Sequence, residues 1–185
     1  MQVTTQWDET SLPLIWIKIS RSMERVYPIV FFDRDDTLIV DSGQTNETAQ
    51  FSWTPQAKDV LRELRGLPFQ IGIATNQGGV SSGKFTLEQL NRFTEFLMLQ
   101  IESIVGDMSI IVVACPHTAQ AECGCRKPKA GLFQYVQNLN LGEPLVFFGN
   151  TQSDISAAET FGIKGVLVAE SDFLDSVRSW IRSYS

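Results

Sequence analysis

Short apolar runs alternate with helical segments along this chain, and that alternation restricts the folds open to it. Residues 28–32, 69–74, 109–114, 145–148 and 165–168 are apolar stretches of strand length without the strict in–out alternation of a half-exposed strand. Between and after them, residues 55–65, 86–104, the stretch from beyond 128 to about 139, 154–161 and 173–181 read as helices. Thr54 is expected to cap the first of these, with Pro55 at its first position. Thr86 is expected to cap the second, with Leu90, Phe93, Leu97 and Ile101 along one face. Residues 12–19 are apolar but carry a Pro and a Lys, and they fit helix or strand. Repeated strand–helix units imply an α/β fold: a doubly wound, mostly parallel sheet with helices on both faces. Such sheets bind ligands beyond the carboxyl ends of their strands. The unusual polar residues collect there: Asp33, Asp35, Thr75, Asn76, Lys127, Asn150 and Asp154.

With 185 residues the chain suits one domain rather than two. Its formal charge of −6 sets it against nucleic acid and anionic membranes. No apolar run reaches the ~18 residues needed to cross a bilayer. The polar, acidic start does not resemble a signal peptide, so a cytoplasmic protein is expected.

The three cysteines and the single histidine all fall between Cys115 and Cys125. With the only imidazole held in that cluster, no Ser–His or Cys–His pair can form elsewhere. Catalysis is left to carboxylates, hydroxyls, Lys or a metal. Cys115, His117, Cys123 and Cys125 make a complete tetrahedral set for zinc, and four protein ligands leave no open position, so the ion would be structural. It would fix a loop too poor in apolar residues to order itself.

Asp33 and Asp35 stand two apart just past an apolar run, a spacing that presents both carboxylates on one side of an extended backbone. Like charges this close recruit a cation or share a proton. Either outcome suits phosphoryl transfer, although Asp-x-Asp alone reads first as a solvated acidic turn.

The residues around the pair go further. The stretch 31–38 (FFDRDDTL) resembles the first motif of the haloacid dehalogenase superfamily of phosphotransferases. The stretches 74–80 (ATNQGGV), 126–128 (RKP) and 148–155 (FGNTQSDI) resemble its second, third and fourth motifs, in order. Residues 76–86 together with 115–128 are similar to the branch that holds heptose bisphosphate and histidinol-phosphate phosphatases, which carries a structural zinc.

The resemblance implies a magnesium-dependent phosphomonoester hydrolase acting on a small phosphorylated metabolite, a sugar bisphosphate or histidinol phosphate. It implies that Asp33 is the nucleophile and forms an aspartyl-phosphate, and that Asp35 protonates the leaving oxygen and then activates water. Thr75 and the Asn76 N–H would hold the phosphoryl oxygens. Lys127 would neutralise them, and Arg126 would grip a second anionic group. Magnesium would be held by Asp33, the Asp35 carbonyl, Asn150 and Asp154.

Two positions depart from the motifs. Asn150 stands where a metal-binding Asp is usual, and Asp36 stands where Gly is usual. Asp is among the more tolerant residues at positive φ, if the position needs it. If the position instead needs close approach by substrate, Asp36 would obstruct or repel it; a carboxylate there would also restore part of the charge missing at Asn150. No large cap domain fits between the motifs. The expected organisation is an N-terminal extension, 1–27, and a monomeric phosphatase domain, 28–185, with its zinc loop at 115–128. The alternatives are a 3′-phosphatase on nucleic-acid ends, disfavoured by charge, and a zinc-stabilised binding module whose catalytic site has decayed.

Overall fold

Each of the five apolar runs becomes a strand, and the central three are buried along almost their whole length. The computed structural model describes residues 2–3, 12–22, 24–41, 43 and 46–184. In chain order the elements are β1 (Gln2–Val3), β2 (Leu14–Lys18), β3 (Ile29–Phe32), α1 (Ala57–Leu64), β4 (Gln70–Asn76), α2 (Leu87–Val105) and β5 (Ile110–Cys115). Then come α3 (Gly131–Asn138), β6 (Pro144–Gly149), α4 (Gln152–Phe161), β7 (Lys164–Leu167) and α5 (Phe173–Tyr184).

Among the described residues the strands form one sheet in the order β1-β2-β5-β4-β3-β6-β7. β3 to β7 run parallel, whereas β2 is antiparallel to β5 and β1 to β2. Residues 12–19, open to two readings from sequence, therefore supply a strand. It lies ahead of residue 28 yet extends the sheet beyond β5, with Leu14, Ile15 and Trp16 buried.

Successive strand residues serve opposite faces. Val30, Phe32, Ile71, Ile73, Ile110, Val112 and Phe148 pack with residues of α1, α2 and α5. Ile29, Phe31, Ala74, Ile111, Val113 and Phe147 pack with residues of α3 and α4. Both faces are thus covered, as a parallel sheet requires.

The chain winds from β3 through β4 to β5 in one direction, then returns to place β6 and β7 on the other side of β3. The crevice between β3 and β6 is the point where the winding reverses, the usual ligand site of such sheets. No inserted domain covers it among the described residues; the chain between β3 and α1 holds loop and one short 3₁₀ turn, Thr48–Gln50.

The caps divide. Thr86 caps α2 as expected, accepting from the Gln89 N–H while the Gln89 side chain accepts from the Thr86 N–H. Thr54 does not cap α1: the helix begins at Ala57 behind Gln56, and Thr54 Oγ1 donates instead to the Thr37 carbonyl at 2.6 Å. Its hydroxyl ties the loop after β3 to the start of the helix.

Candidate active site

The strand ends bring the four motifs to one cavity of about 230 Å³, lined among others by Asp33, Asp35, Thr75, Asn76, Lys127, Asn150 and Asp154. Asp33 is set at the crevice by its own N–H, which donates across to the Phe148 carbonyl of β6 at 2.9 Å. Lys127 reaches in over the Phe147 ring and bridges two carboxylates. Its Nζ lies 2.5 Å from Asp33 Oδ1, 2.6 Å from Asp154 Oδ1 and 2.9 Å from the Ala74 carbonyl.

All three charged side chains are buried, and one cation does not balance the acids around it. Burial, with Asp154 and Asp35 nearby, outweighs Lys127 and pushes the Asp33 carboxyl up to about 7. Burial works to lower Lys127, but Asp33 and Asp154 outweigh it and hold the ammonium above its ordinary value.

Several side chains hold this arrangement. Asn76 clamps the Lys127 main chain from both sides: its Oδ1 accepts from the Lys127 N–H at 3.0 Å and its Nδ2 donates to the Lys127 carbonyl at 3.1 Å. Asp154 Oδ2 accepts from the Thr151 N–H and hydroxyl at 3.0 and 2.7 Å, which caps α4. With Oδ1 on Lys127, both its oxygens are engaged. Asn150 Oδ1 is buried without a hydrogen-bond partner among the described residues. An orphaned acceptor beside surplus carboxylates fits a divalent cation of the magnesium type.

Two residues that sequence reasoning gave no role stand beside Asp35. Arg34 is buried over the Phe93 ring, and donates from Nε and Nη2 to the two Asp35 oxygens at 2.8 and 3.1 Å. Its Nη1 reaches Asn46 Oδ1 at 3.1 Å. Gln77 Nε2 donates to both Asp35 Oδ2 and Thr75 Oγ1, at 2.8 and 2.9 Å. Neither has a local sequence signature; only the tertiary contact reveals it.

Asp36 takes φ of 53°, the left-handed conformation for which the usual glycine suits that position. Its Oδ1 accepts from the Asp41 N–H at 2.9 Å, which fastens the loop after β3. Arg126 does not line the cavity; its Nη1 donates to the His117 carbonyl at 3.0 Å.

The cysteine–histidine clip forms at the end of β5, behind Lys127. The three sulfurs lie 3.2 to 3.6 Å apart, with His117 Nδ1 3.3 Å from Cys125 Sγ and 3.6 Å from Cys115 Sγ. Tetrahedral coordination at metal–sulfur distances of about 2.3 Å places sulfurs about 3.8 Å apart. These four residues can hold a metal ion. The hydrogen bond from Cys125 draws the Cys115 thiol down to about 5, and Cys125 is raised in turn. Crowded thiols cannot all ionise without a cation among them.

The sequence of this chain matches the model of the polynucleotide kinase 3 phosphatase family over residues 28–158. The chain belongs to this family. It is 32% identical over 143 residues to a D-glycero-beta-D-manno-heptose-1,7-bisphosphate 7-phosphatase of Haemophilus ducreyi, an alignment covering 73% of this chain and 79% of that protein. It is 33% identical over 143 residues to the histidine biosynthesis bifunctional protein HisB of Blochmanniella floridana, covering 75% of this chain and 40% of that longer protein. Its fold matches the crystal structure of a D,D-heptose 1,7-bisphosphate phosphatase from B. bronchiseptica with a TM-score of 0.72 at 19% identity, covering 84% of this chain and 99% of the other. The expected α/β core is therefore the fold of this chain, with no large cap among the described residues. No helix among the described residues is long and apolar enough to cross a membrane.

Proposed function

We propose that this chain is a magnesium-dependent phosphomonoester hydrolase that works through an aspartyl-phosphate on Asp33. The observation that carries the reading is the buried Asp33–Lys127–Asp154 array sharing one cavity with Asp35 and Thr75.

Lys127 occupies Asp33 Oδ1, which leaves Oδ2 to attack phosphorus. As that bond forms, the bond from phosphorus to the leaving oxygen breaks; the oxygen keeps the electron pair and takes the proton of the Asp35 carboxyl. Asp35, now a carboxylate, removes a proton from water. The water oxygen joins phosphorus, the electron pair of the Asp33–phosphorus bond returns to the Asp33 carboxylate, and orthophosphate leaves. The Thr75 hydroxyl and Asn76 N–H hold phosphoryl oxygens, and Lys127 offsets their charge. Asp33, the Asp35 carbonyl and Asn150 would hold magnesium, with Asp154 acting from behind through Lys127. Magnesium, when bound, supplies the positive charge that these carboxylates and a phosphoryl group together lack. In the clip, the donor set of three sulfurs and one nitrogen suits zinc, closed to substrate and structural.

The substrate is a small phosphorylated metabolite. The names of the relatives support a sugar bisphosphate, and the branch resemblance adds histidinol phosphate. The family description also names a 3′ phosphatase, but the charge of −6 opposes binding to nucleic acid.

The test is hydrolysis of a generic aryl phosphate with and without magnesium, followed by a panel that includes sugar bisphosphates and histidinol phosphate. Turnover that requires magnesium and disappears in Asp33→Asn is expected. Equal rates for the two proteins would leave the binding-module reading.

A further inference from the structure

Asp35 and Thr75 have different tasks in the proposed reaction, yet one side chain touches both. Gln77 is buried, and its amide has two N–H bonds. Both are in use, one on Asp35 Oδ2 at 2.8 Å and one on Thr75 Oγ1 at 2.9 Å. The main chain of Gln77 is itself fixed: its N–H donates to the Cys115 carbonyl at 2.6 Å, so the clip seats it.

The acceptor positions on Asp35 make the arrangement specific. A carboxylate oxygen has two lone pairs. Oδ2 receives Gln77 Nε2 and Arg34 Nη2, which fill it, whereas among the described residues Oδ1 receives only Arg34 Nε, at 2.8 Å. One lone pair on Oδ1 remains for a proton. On Thr75 the logic is complementary. Its Oγ1 lies 3.5 Å from Asp35 Oδ2, a poor hydrogen bond, so the hydroxyl proton has no strong partner there. By donating to Oγ1, Gln77 turns that proton away from itself and toward the cavity.

From this geometry we propose that Gln77 is a positioning residue for the hydrolase: it fixes the Asp35 carboxyl so that Oδ1 carries the transferred proton, and it aims the Thr75 hydroxyl at the phosphoryl group. The inference rests on the hydrolase reading above. In the first step the proton on Oδ1 passes to the leaving oxygen as the phosphorus–oxygen bond breaks, and in the second Oδ1 receives a proton from water. Arg34 grips the same carboxylate, but it also anchors Asn46 and stacks on Phe93, so Gln77 is the cleaner residue to vary.

Leaving-group dependence separates positioning from packing. An alkyl alkoxide needs a proton to depart, whereas nitrophenolate needs almost none. In Gln77→Met, which keeps length and loses both donors, kcat on an alkyl phosphate should fall about 10- to 100-fold, and on p-nitrophenyl phosphate only a few-fold. Asp35→Asn should show the same selectivity. Adding Gln77→Met to Asp35→Asn should then cost the alkyl substrate no more than it costs the aryl one, since the two act through one group. Gln77→Leu with an unchanged melting temperature provides the second variant should Met disturb the fold. Equal losses on both substrates, no loss on either, or fully additive losses in the double variant would overturn the assignment. A wild-type protein inactive toward both substrates fails at the hydrolase reading itself, and the positioning role falls with it.

Discussion

At the scale of single residues, the site gathers more negative charge than its one lysine balances, and Asp33 carries the consequence. Burial pushes its carboxyl up to about 7 in the fold, against about 3.9 in an unfolded chain. The folded state therefore binds this proton more tightly. The stability it contributes is present below about pH 4 and is lost as pH rises through 7. In magnesium-free buffer the wild type should weaken between pH 5 and pH 8, and Asp33→Asn should flatten that slope. At pH 8 the inactive variant should be the more stable protein, by at most about 4 kcal/mol. Urea midpoints at the two pH values measure it, and parallel slopes for both proteins would exclude the account. Lys127→Met acts in the opposite direction, since it leaves Asp33 and Asp154 buried without their cation; a loss of about 3–5 kcal/mol is expected, partly restored by magnesium. Asp33, Asp35, Thr75 and Lys127 were legible in the sequence because each stands in a motif at a strand end or in the loop after one. Arg34 and Gln77 were not, because their importance lies in which distant atom each side chain meets: Gln77 reaches Asp35 across 42 residues.

At the scale of elements, local signals succeeded where the partner is local. The Thr86 cap and its Gln89 return bond lie within one turn of helix. Thr54, followed by Pro55, also carries a cap signature, but the Thr37 carbonyl, 17 residues back, takes its hydroxyl. The clip shows a similar dependence on a distant surface. The backbone of its loop lies so close to the start of α3 that a Cβ on Gly131 would collide with the Gly124 carbonyl and with Cys125 Cα at 2.8 Å. Both are main-chain atoms that cannot swing aside. Lys129 Nζ holds the same turn, donating to the Glu122 and Cys123 carbonyls at 2.7 Å each. Gly131→Ala should therefore push the clip away from α3 and destabilise the protein by about 1–3 kcal/mol. Its metal content should fall with it. A melting curve and a metal-to-protein ratio by elemental analysis provide the check; full occupancy at an unchanged melting temperature would mean that the loop yields without cost.

For the whole molecule, the parallel core and its two covered faces followed from short apolar runs between helices, since burial on both sides removes alternation. The edge beyond β5 did not follow, because an eight-residue apolar stretch with a Pro and a Lys has no period of its own to declare. Its conformation is decided by the strand it meets. β2 pairs with β5 along its full length, from Leu14 beside Ala114 to Lys18 beside Ile110. The chain then turns back over Asp107, whose carboxylate accepts from the Arg21 and Ser22 N–H groups at 3.1 Å each. We therefore propose that the folding unit begins ahead of residue 28, and the prediction follows from what truncation would uncover. Removing 1–27 strips Leu14, Ile15 and Trp16 from the core, exposed by only 6%, 5% and 1% in the intact chain. At ~1.5–3 kcal/mol for each large apolar side chain, the loss rivals the ~5–15 kcal/mol that holds a typical domain together. It also opens one edge of β5, a strand of Ile and Val, to pairing with other chains. A 28–185 fragment should aggregate or lack a cooperative melt, whereas 12–185 should melt near the full chain. Size-exclusion and circular-dichroism melts of the two fragments decide it, and a monomeric 28–185 fragment with the melting temperature of the full chain would show that the strand only decorates the fold.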